Sequence, residues 1–506
     1  MSSHTSILGI DFGTTNTAAA FFDKAGKLRL VPVKEKVFVL PSAVWFRAAD
    51  KAVVGHAARM QIIDDPRHTL FGVKRFLGRR FQSSFVSQNK DRFAYKLIEG
   101  MDGYAAVEIY GQIIPLAEVV QSVIRQILDH ANHTAGEPFT ECVITVPAHA
   151  TIRMREATRK AAEQAGLKVR AMINEPTAAA LYYANLRSPE QTVMVFDLGG
   201  GTFDATLMAI RNRTVQVLAT GGDAFLGGAD FDEAIVNALT SQFERTHGIN
   251  LRTNTVVMQR LVFAAEAVKI ALSTQPTAKL RVPCVAEKQG TFIDLDFQLT
   301  REELEQIVEP LIERAAGACE DLLQRAGMTV EQVDELVLVG GQTRMPAIRR
   351  RFAHYKRFSN ETDVHPDLAV AIGAAVLGRN LARGLTGLQD VVPIPISAMF
   401  PGGRVVEVIP ANSTVPTSKR VSIGELPAWN APIPIVLLEA LDRTSIDREA
   451  LGMVAIPPEW RKEQLKGSPQ LELTMGQDFV LTAKLVSSTG ETIAAPISEP
   501  RLPRSA

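Results

Sequence analysis

The stretch Val195-Phe196-Asp197-Leu198-Gly199-Gly200-Gly201-Thr202-Phe203-Asp204 decides how this chain is read. An apolar run fit for a buried strand delivers an aspartate into three consecutive glycines, followed by a threonine and a second aspartate. Glycines leave the backbone free to take positive φ and remove every Cβ that would block a ligand. Their amides can turn towards an anion, while Asp197 and Asp204 stand where a hydrated hard cation bridging phosphates would be held. The reading is a nucleoside triphosphate site with magnesium. The alternative is a tight glycine-rich hairpin with satisfied aspartates.

The same grammar occurs near the start of the chain, in Ile7-Leu8-Gly9-Ile10-Asp11-Phe12-Gly13-Thr14-Thr15-Asn16-Thr17. A second pair recurs after each hairpin: Val143-Ile144-Thr145-Val146-Pro147-Ala148 and Leu336-Val337-Leu338-Val339-Gly340-Gly341 both read as a buried strand breaking into a helix. Repetition at a spacing of about 190 residues is an internal duplication. Two similar halves facing each other predict a cleft with one phosphate loop from each side.

Around these anchors the spacing of apolar residues predicts helices near 115–133, 153–165, 230–247, 258–273, 301–326 and 367–380, with β-structure between 279 and 299. After Leu385 the texture changes to short alternating runs, such as Gln470-Leu471-Glu472-Leu473-Thr474, which predict a small all-β domain. Phe71-Gly72-Val73-Lys74-Arg75-Phe76-Leu77-Gly78-Arg79-Arg80 carries four basic residues, for which a solvated face is the plain reading. Lys74 within it is a candidate to steer a water or neutralise a γ-phosphate. Glu175 and Asp204 are candidates to orient that water or hold the metal shell. Glu266, Lys269 and Ser273 fall on one helical face and form either a ribose and adenine grip or a solvated stripe. Gly340 and Gly341 would let a flat ring approach, and Arg344 would stack on it.

Of the 506 residues, 46% are hydrophobic, enough for substantial cores in several domains. Lys+Arg and Asp+Glu both number 55, so no net charge points to nucleic acid or to a membrane surface. Neither a leader peptide nor an uninterrupted apolar span is expected. Cys142, Cys284 and Cys319 lie far apart in or beside apolar segments, which predicts buried thiols and a reducing, cytoplasmic compartment.

The segments GIDFGTTN, FGVKRFLGRRF, VITVPA, INEPTAAAL, FDLGGGTFD, GGDAFLGGADFD, LVLVGGQTRMP and AVAIGAA, in this order, resemble the 70-kilodalton heat-shock protein family, the DnaK-like chaperones of the actin-like ATPase superfamily. The resemblance covers about residues 7 to 385. It implies an α/β fold: a duplicated actin-like (ribonuclease H-like) two-lobed ATPase domain over residues 1–388, with lobe I about 1–190, lobe II about 191–370 and a return helix at 367–381. An interdomain linker at 389–396 and a β-sandwich at 397–506 without its helical lid would follow.

The resemblance also assigns roles. Asp11, Asp197 and Asp204 would surround magnesium through water. Gly13, Thr14, Thr15, Asn16, Gly199, Gly200, Gly201 and Thr202 would contact the phosphates, with Gly227 and Gly228 beside them. Lys74, Glu175, Asp204 and Thr202 would be catalytic, acting on the attacking water. Glu266, Lys269, Ser273, Gly340, Gly341, Arg344 and Asp367 would hold the adenosine. The implied cofactors are ATP or ADP with Mg2+, and K+ as an optional second cation. Pro147 and Arg155 match the family's switch between domains.

Departures from the family's pattern carry information too. An aromatic pair usually follows VPA; here the run is Pro147-Ala148-His149-Ala150-Thr151-Ile152. Ala171 replaces a basic residue offered to a J-domain co-chaperone, which makes that partner doubtful. Asp390-Val391-Val392-Pro393-Ile394-Pro395-Ile396 stands where the linker normally adds an edge strand, and two prolines predict a shortened or altered docking. The functional expectation is a slowly hydrolysing chaperone whose β-domain holds an extended client polypeptide. Two alternatives stand beside it: an ATP-binding scaffold engaging one dedicated protein partner, and a sugar or small-molecule kinase.

Overall fold

A computed structural model describes residues 6–186, 190–211, 214–358, 365–385, 388–424, 432–440, 448–457, 469–488 and 490–498. The far end of the expected β-domain, 499–506, lies outside the described residues.

Each half of the first 390 residues is built on the same sheet. In the first half the strands run in the order Lys168–Asn174, Glu141–Val146, Leu8–Phe12, Asn16–Phe22, Leu28–Leu30. In the second the order is Glu335–Val339, Gln191–Leu198, Phe203–Arg211, Thr214–Asp223, Leu388–Gln389. Both glycine-rich segments are antiparallel hairpins. The strand that later breaks into a helix lies parallel to the first strand of each hairpin, through Leu8↔Cys142 in one half and Val193↔Glu335 in the other. The duplication read from the sequence is therefore a duplication of sheet topology.

The two halves meet through the helices Glu175–Leu186 and Ala369–Ala382. Gly373 lies where a Cβ would overlap the carbonyl of Ala178, and Gly9 lies where one would overlap the backbone at Ala375. The alanine-rich composition of the later helix follows from this: backbones touch, so side chains must be small. Ala178, Ala179, Ala371, Ala374 and Ala375 are all buried in the seam.

The sequence-predicted helices appear as Leu116–Ala135, Ile152–Gln164, Gly228–His247, Thr255–Leu272 and Arg301–Arg325. The last starts at a reciprocal cap, in which Thr300 accepts from the Glu303 amide and Glu303 accepts from the Thr300 amide. No helix among the described residues is long and apolar enough to cross a membrane.

From Ile396 on, eight strands make two four-stranded sheets, ordered Val405–Ile409, Ile396–Met399, Ile433–Ala440, Arg448–Ile456 and Thr417–Ser422, Gln470–Met475, Leu481–Val486, Thr492–Ala494. Alternate residues, including Ile396, Ile435, Leu437, Val454, Leu471, Leu473 and Leu485, point between the sheets and form their core.

Ile152, the first residue of its helix, belongs to that same core, so the sandwich sits against the first half. Among the described residues the linker joins the second-half sheet at Leu388–Gln389, parallel to Val215 and Gln216. Its next residues turn to the β-domain: Val392 donates to Ser413, and Val415 donates to the carbonyl of Asp390. Strand addition ends at Gln389, before either proline, because Asp390 turns its carboxylate to Asn174 and to the Val391 amide.

Two expectations are corrected. Cys142 and Cys319 are buried, but Cys284 is exposed. It stands at φ 51° where the hairpin Thr277–Lys288/Thr291–Thr300 shifts register, with its amide bonded to Asp294. The basic run at 74–80 is not a solvated face, because Lys74 and Arg75 are drawn into ion pairs described next.

Candidate nucleotide and hydrolysis site

The two glycine loops close in the same way. Gly13 donates to the carbonyl of Asn16 at 3.0 Å and Gly199 to that of Thr202 at 3.1 Å. Ser42 fixes the first loop, its amide on Thr15 O and its hydroxyl on Gly13 O at 2.8 Å. The loops then face each other so closely that a Cβ on Gly200 would overlap the Thr15 hydroxyl and one on Gly201 would press on Thr14. Glycine is required there by close approach. Gly227 packs on Gly201, and the Gly228 and Ala229 amides donate to Gly199 and Gly200.

Between the loops is a small polar cavity of about 100 Å³, lined among others by Asp11, Asn16, Glu175, Asp197, Thr202 and Gly340. It adjoins a larger one of about 560 Å³ that Thr14, Thr15, Gly199, Gly200, Gly228 and Gly341 also line. The larger space has an apolar side from Ile62, Val262 and Phe263, and polar groups from Glu266, Lys269, Arg344 and Asp367. A narrow polar end and a wider, partly apolar end match a triphosphate and a nucleoside in shape and chemistry.

Charge at the narrow end is unbalanced. Lys74 is buried and donates to Glu175 at 2.5 Å and to the carbonyl of Phe12. Burial and then the charge of Glu175 push Asp11 up to about 7. Asp197 is raised well above the ordinary carboxylate range by burial and then by Glu175, Asp204 and Asp11, and burial also raises Glu175 despite Lys74. Asp197 and Asp204 are cross-strand partners, and the Asp204 Oδ2 atom is buried without a hydrogen-bond partner.

Four acids against one ammonium, Asp197 and Asp204 buried and Asp11 and Glu175 half-buried, with an orphaned oxygen among them, fit a divalent cation. Among the described residues no three acids converge closely enough to ligate a metal directly. An ion held here would keep its water shell, with Asp11, Asp197 and Asp204 taking those waters.

Most sequence-predicted site residues line these two spaces. Lys74 and Asp204 do not: both are buried, Lys74 on Glu175 and Asp204 opposite Asp197. Nor does Ser273, which caps its helix, its hydroxyl facing the carbonyl of Lys269. Gly13 lines the narrow end, while Gly227 acts from behind through Gly201. Pro147 and Arg155 lie outside the cleft, Pro147 in the turn before Ile152–Gln164 and Arg155 in that helix. The Ala150 amide donates to Pro147 O there, and Arg155 donates to Ala150 O and Asn174 Oδ1.

Other partners came only with the fold. Arg59 meets Glu266 at 2.5 Å across the mouth of the cleft. Arg75 reaches both Gly201 O at 3.0 Å and Asp230 at 2.9 Å. Asp232 pairs with Lys269 at 2.8 Å. The basic run carried a signal for Arg75, adjacent to Lys74; nothing local marked Arg59 or Asp232.

Known proteins resemble this chain over most of its length. The family model described as Hsp70 protein matches residues 7–475. The chain is 37% identical over 478 residues to the chaperone protein DnaK of Thermus thermophilus, covering 93% of this chain and 76% of that protein. It is 35% identical over 477 residues to the mitochondrial heat shock 70 kDa protein of Dictyostelium discoideum, covering 93% and 72%.

Proposed function

Because the chain belongs to the Hsp70 family and is a molecular chaperone of that type, we propose that it binds ATP with Mg2+ in the cleft, hydrolyses it slowly, and uses the nucleotide to control how its β-domain holds extended client polypeptide. The observation that carries the reading is the facing pair of glycine loops over Asp11, Glu175 and Asp197, with buried Lys74 paired to Glu175 and buried Asp204 opposite Asp197. Glycine amides and Lys74 would neutralise phosphate charge, the acids would hold the hydrated ion, and Glu175 would orient the attacking water. The ion, when bound, would supply positive charge against the phosphates, held through its waters by Asp11, Asp197 and Asp204.

The β-domain is placed to sense this chemistry. It contacts the helix Ile152–Gln164, which follows the strand Glu141–Val146 paired to the first phosphate hairpin. The linker strand lies on the second-half sheet that carries Asp197 and Asp204. A J-domain partner remains doubtful on the ground of Ala171. Three free thiols favour the cytoplasm.

The test is single-turnover ATP hydrolysis by the full chain, with limited proteolysis of the 388–396 segment in ATP, ADP and no nucleotide, with and without an extended apolar peptide. Turnover that peptide accelerates, with cleavage that depends on nucleotide, is the expected result. Tight ATP binding without turnover and with a nucleotide-indifferent linker would replace the reading by the scaffold.

A further inference from the structure

The turn between the strand Glu141–Val146 and the helix Ile152–Gln164 carries a buried histidine that none of the roles above uses. His149 Nδ1 lies 2.6 Å from Asp204 Oδ1, and the two side chains are 5% and 1% exposed. They are 55 residues apart and belong to different halves of the duplicated domain. When Asp204 is ionised its oxygens only accept, and Nδ1 is then the donor. Among the described residues the Asp204 Oδ2 atom is buried and has no hydrogen-bond partner.

The niche around the ring is specific. Gly222, at φ 135°, lies on the neighbouring strand opposite Asp204, and a Cβ there would stand 3.0 Å from His149 Cε1. The turn itself is pinned at both ends. Pro147 O accepts the Ala150 amide, and Arg155 donates to Ala150 O while its second arm holds Asn174. This is a fixed ring with one nitrogen committed to one carboxylate oxygen.

We propose that His149 is a positioning residue for ATP hydrolysis: by donating to Oδ1 it sets the rotation of the Asp204 carboxylate and reserves Oδ2 for the water shell at the phosphate end of the cleft. The inference rests on the nucleotide reading of that site. A carboxylate free to rotate about its last bond must be ordered before it can accept from a water at a defined place, and a donor on one oxygen does this in advance. The run Pro147-Ala148-His149 departs from the aromatic pair that the resemblance leads one to expect.

The test compares His149→Phe, which keeps a ring without a donor, with His149→Asn, whose Nδ2 can stand where Nδ1 stands. In the full chain, single-turnover hydrolysis should fall about tenfold or more in His149→Phe, the size of a lost hydrogen bond to a charged group. ATP affinity should stay within about twofold, and His149→Asn should recover to within about threefold of the parent. Nitrogen-15 NMR of the nucleotide-free chain should show an exchange-protected proton on one imidazole Nδ1, assigned by its loss in His149→Asn.

Parent-like hydrolysis in His149→Phe overturns the inference, as does equal loss in both variants, which marks packing alone. A parent chain that shows the protected proton yet hydrolyses no ATP overturns the proposed function and this role with it. Turnover in the parent with no protected proton overturns only the role of His149.

Discussion

Lys74 is the ammonium that Asp11, Glu175 and Asp197 all feel. It is held at 3% exposure between Phe12 O and Glu175, with its charge over the Phe12 ring. Such a group acts where charge develops, so its loss should be felt in turnover more than in binding. Lys74→Ala is expected to lower the single-turnover hydrolysis rate about 100-fold or more, with ATP affinity, measured by titration calorimetry, changed only a few-fold. Parent-like turnover in Lys74→Ala would remove Lys74 from the catalytic set.

The seam between the helices Glu175–Leu186 and Ala369–Ala382 is where the two halves share a core. Its tolerance is set by backbone contact: at Gly373 even one methyl group meets the Ala178 peptide. Gly373→Ala should destabilise the protein by about 1–3 kcal/mol through overpacking, although alanine is the better helix former. Thermal unfolding followed by circular dichroism checks this, and an unchanged or raised midpoint would show that the helices can part without cost. The same helix pair carries Glu175 at its first turn, so a forced separation should also slow hydrolysis.

At the scale of the whole molecule, the β-domain docks through a concentration of charge. Both oxygens of Glu439 accept the Ile152 amide, at 3.0 and 3.2 Å, at the start of its helix. Glu449 is its cross-strand partner and has a buried, unpartnered Oε1. Facing the pair are Arg155, which lies over the Phe479 ring, Arg153, which donates to Leu451 O, and the charges of Arg79, Arg80 and Glu156. Burial pushes Glu439 up from 4.5 to about 8, while Ile152 and Arg155 pull the other way.

A carboxyl raised in the docked state binds its proton more tightly there than when undocked. Docking is therefore strongest below the ordinary carboxylate range, weakens as pH rises from about 4.5 towards about 8, and has lost this contribution above it. Fluorescence energy transfer between dyes on the two domains should fall across that window. Glu439→Gln, which stays neutral, should flatten the profile; an identical slope in that variant would assign the effect to other groups.

The sequence by itself determined the duplicated hairpins, both phosphate loops, the acids Asp11 and Asp197 at their entrances and the change to a β-domain, because each is written in residues adjacent along the chain. Glycine runs, strand alternation and helical spacing are local signals, and chain order then matched one half to the other. Tertiary structure alone decided which charges meet. Lys74 finds Glu175 from 101 positions away, Arg59 finds Glu266 from 207, and Ile152 finds Glu439 from 287. The basic run looked solvated because its partners lie on other elements. Ser273 looked like part of a grip because it shares a face with Lys269, yet only Glu266 and Lys269 on that face reach the cleft, and Ser273 ends the helix with its hydroxyl on Lys269 O. His149 stood in view as an oddity of the VPA segment, but its hydrogen bond to Asp204 exists only because folding lays the turn of one half against the sheet of the other.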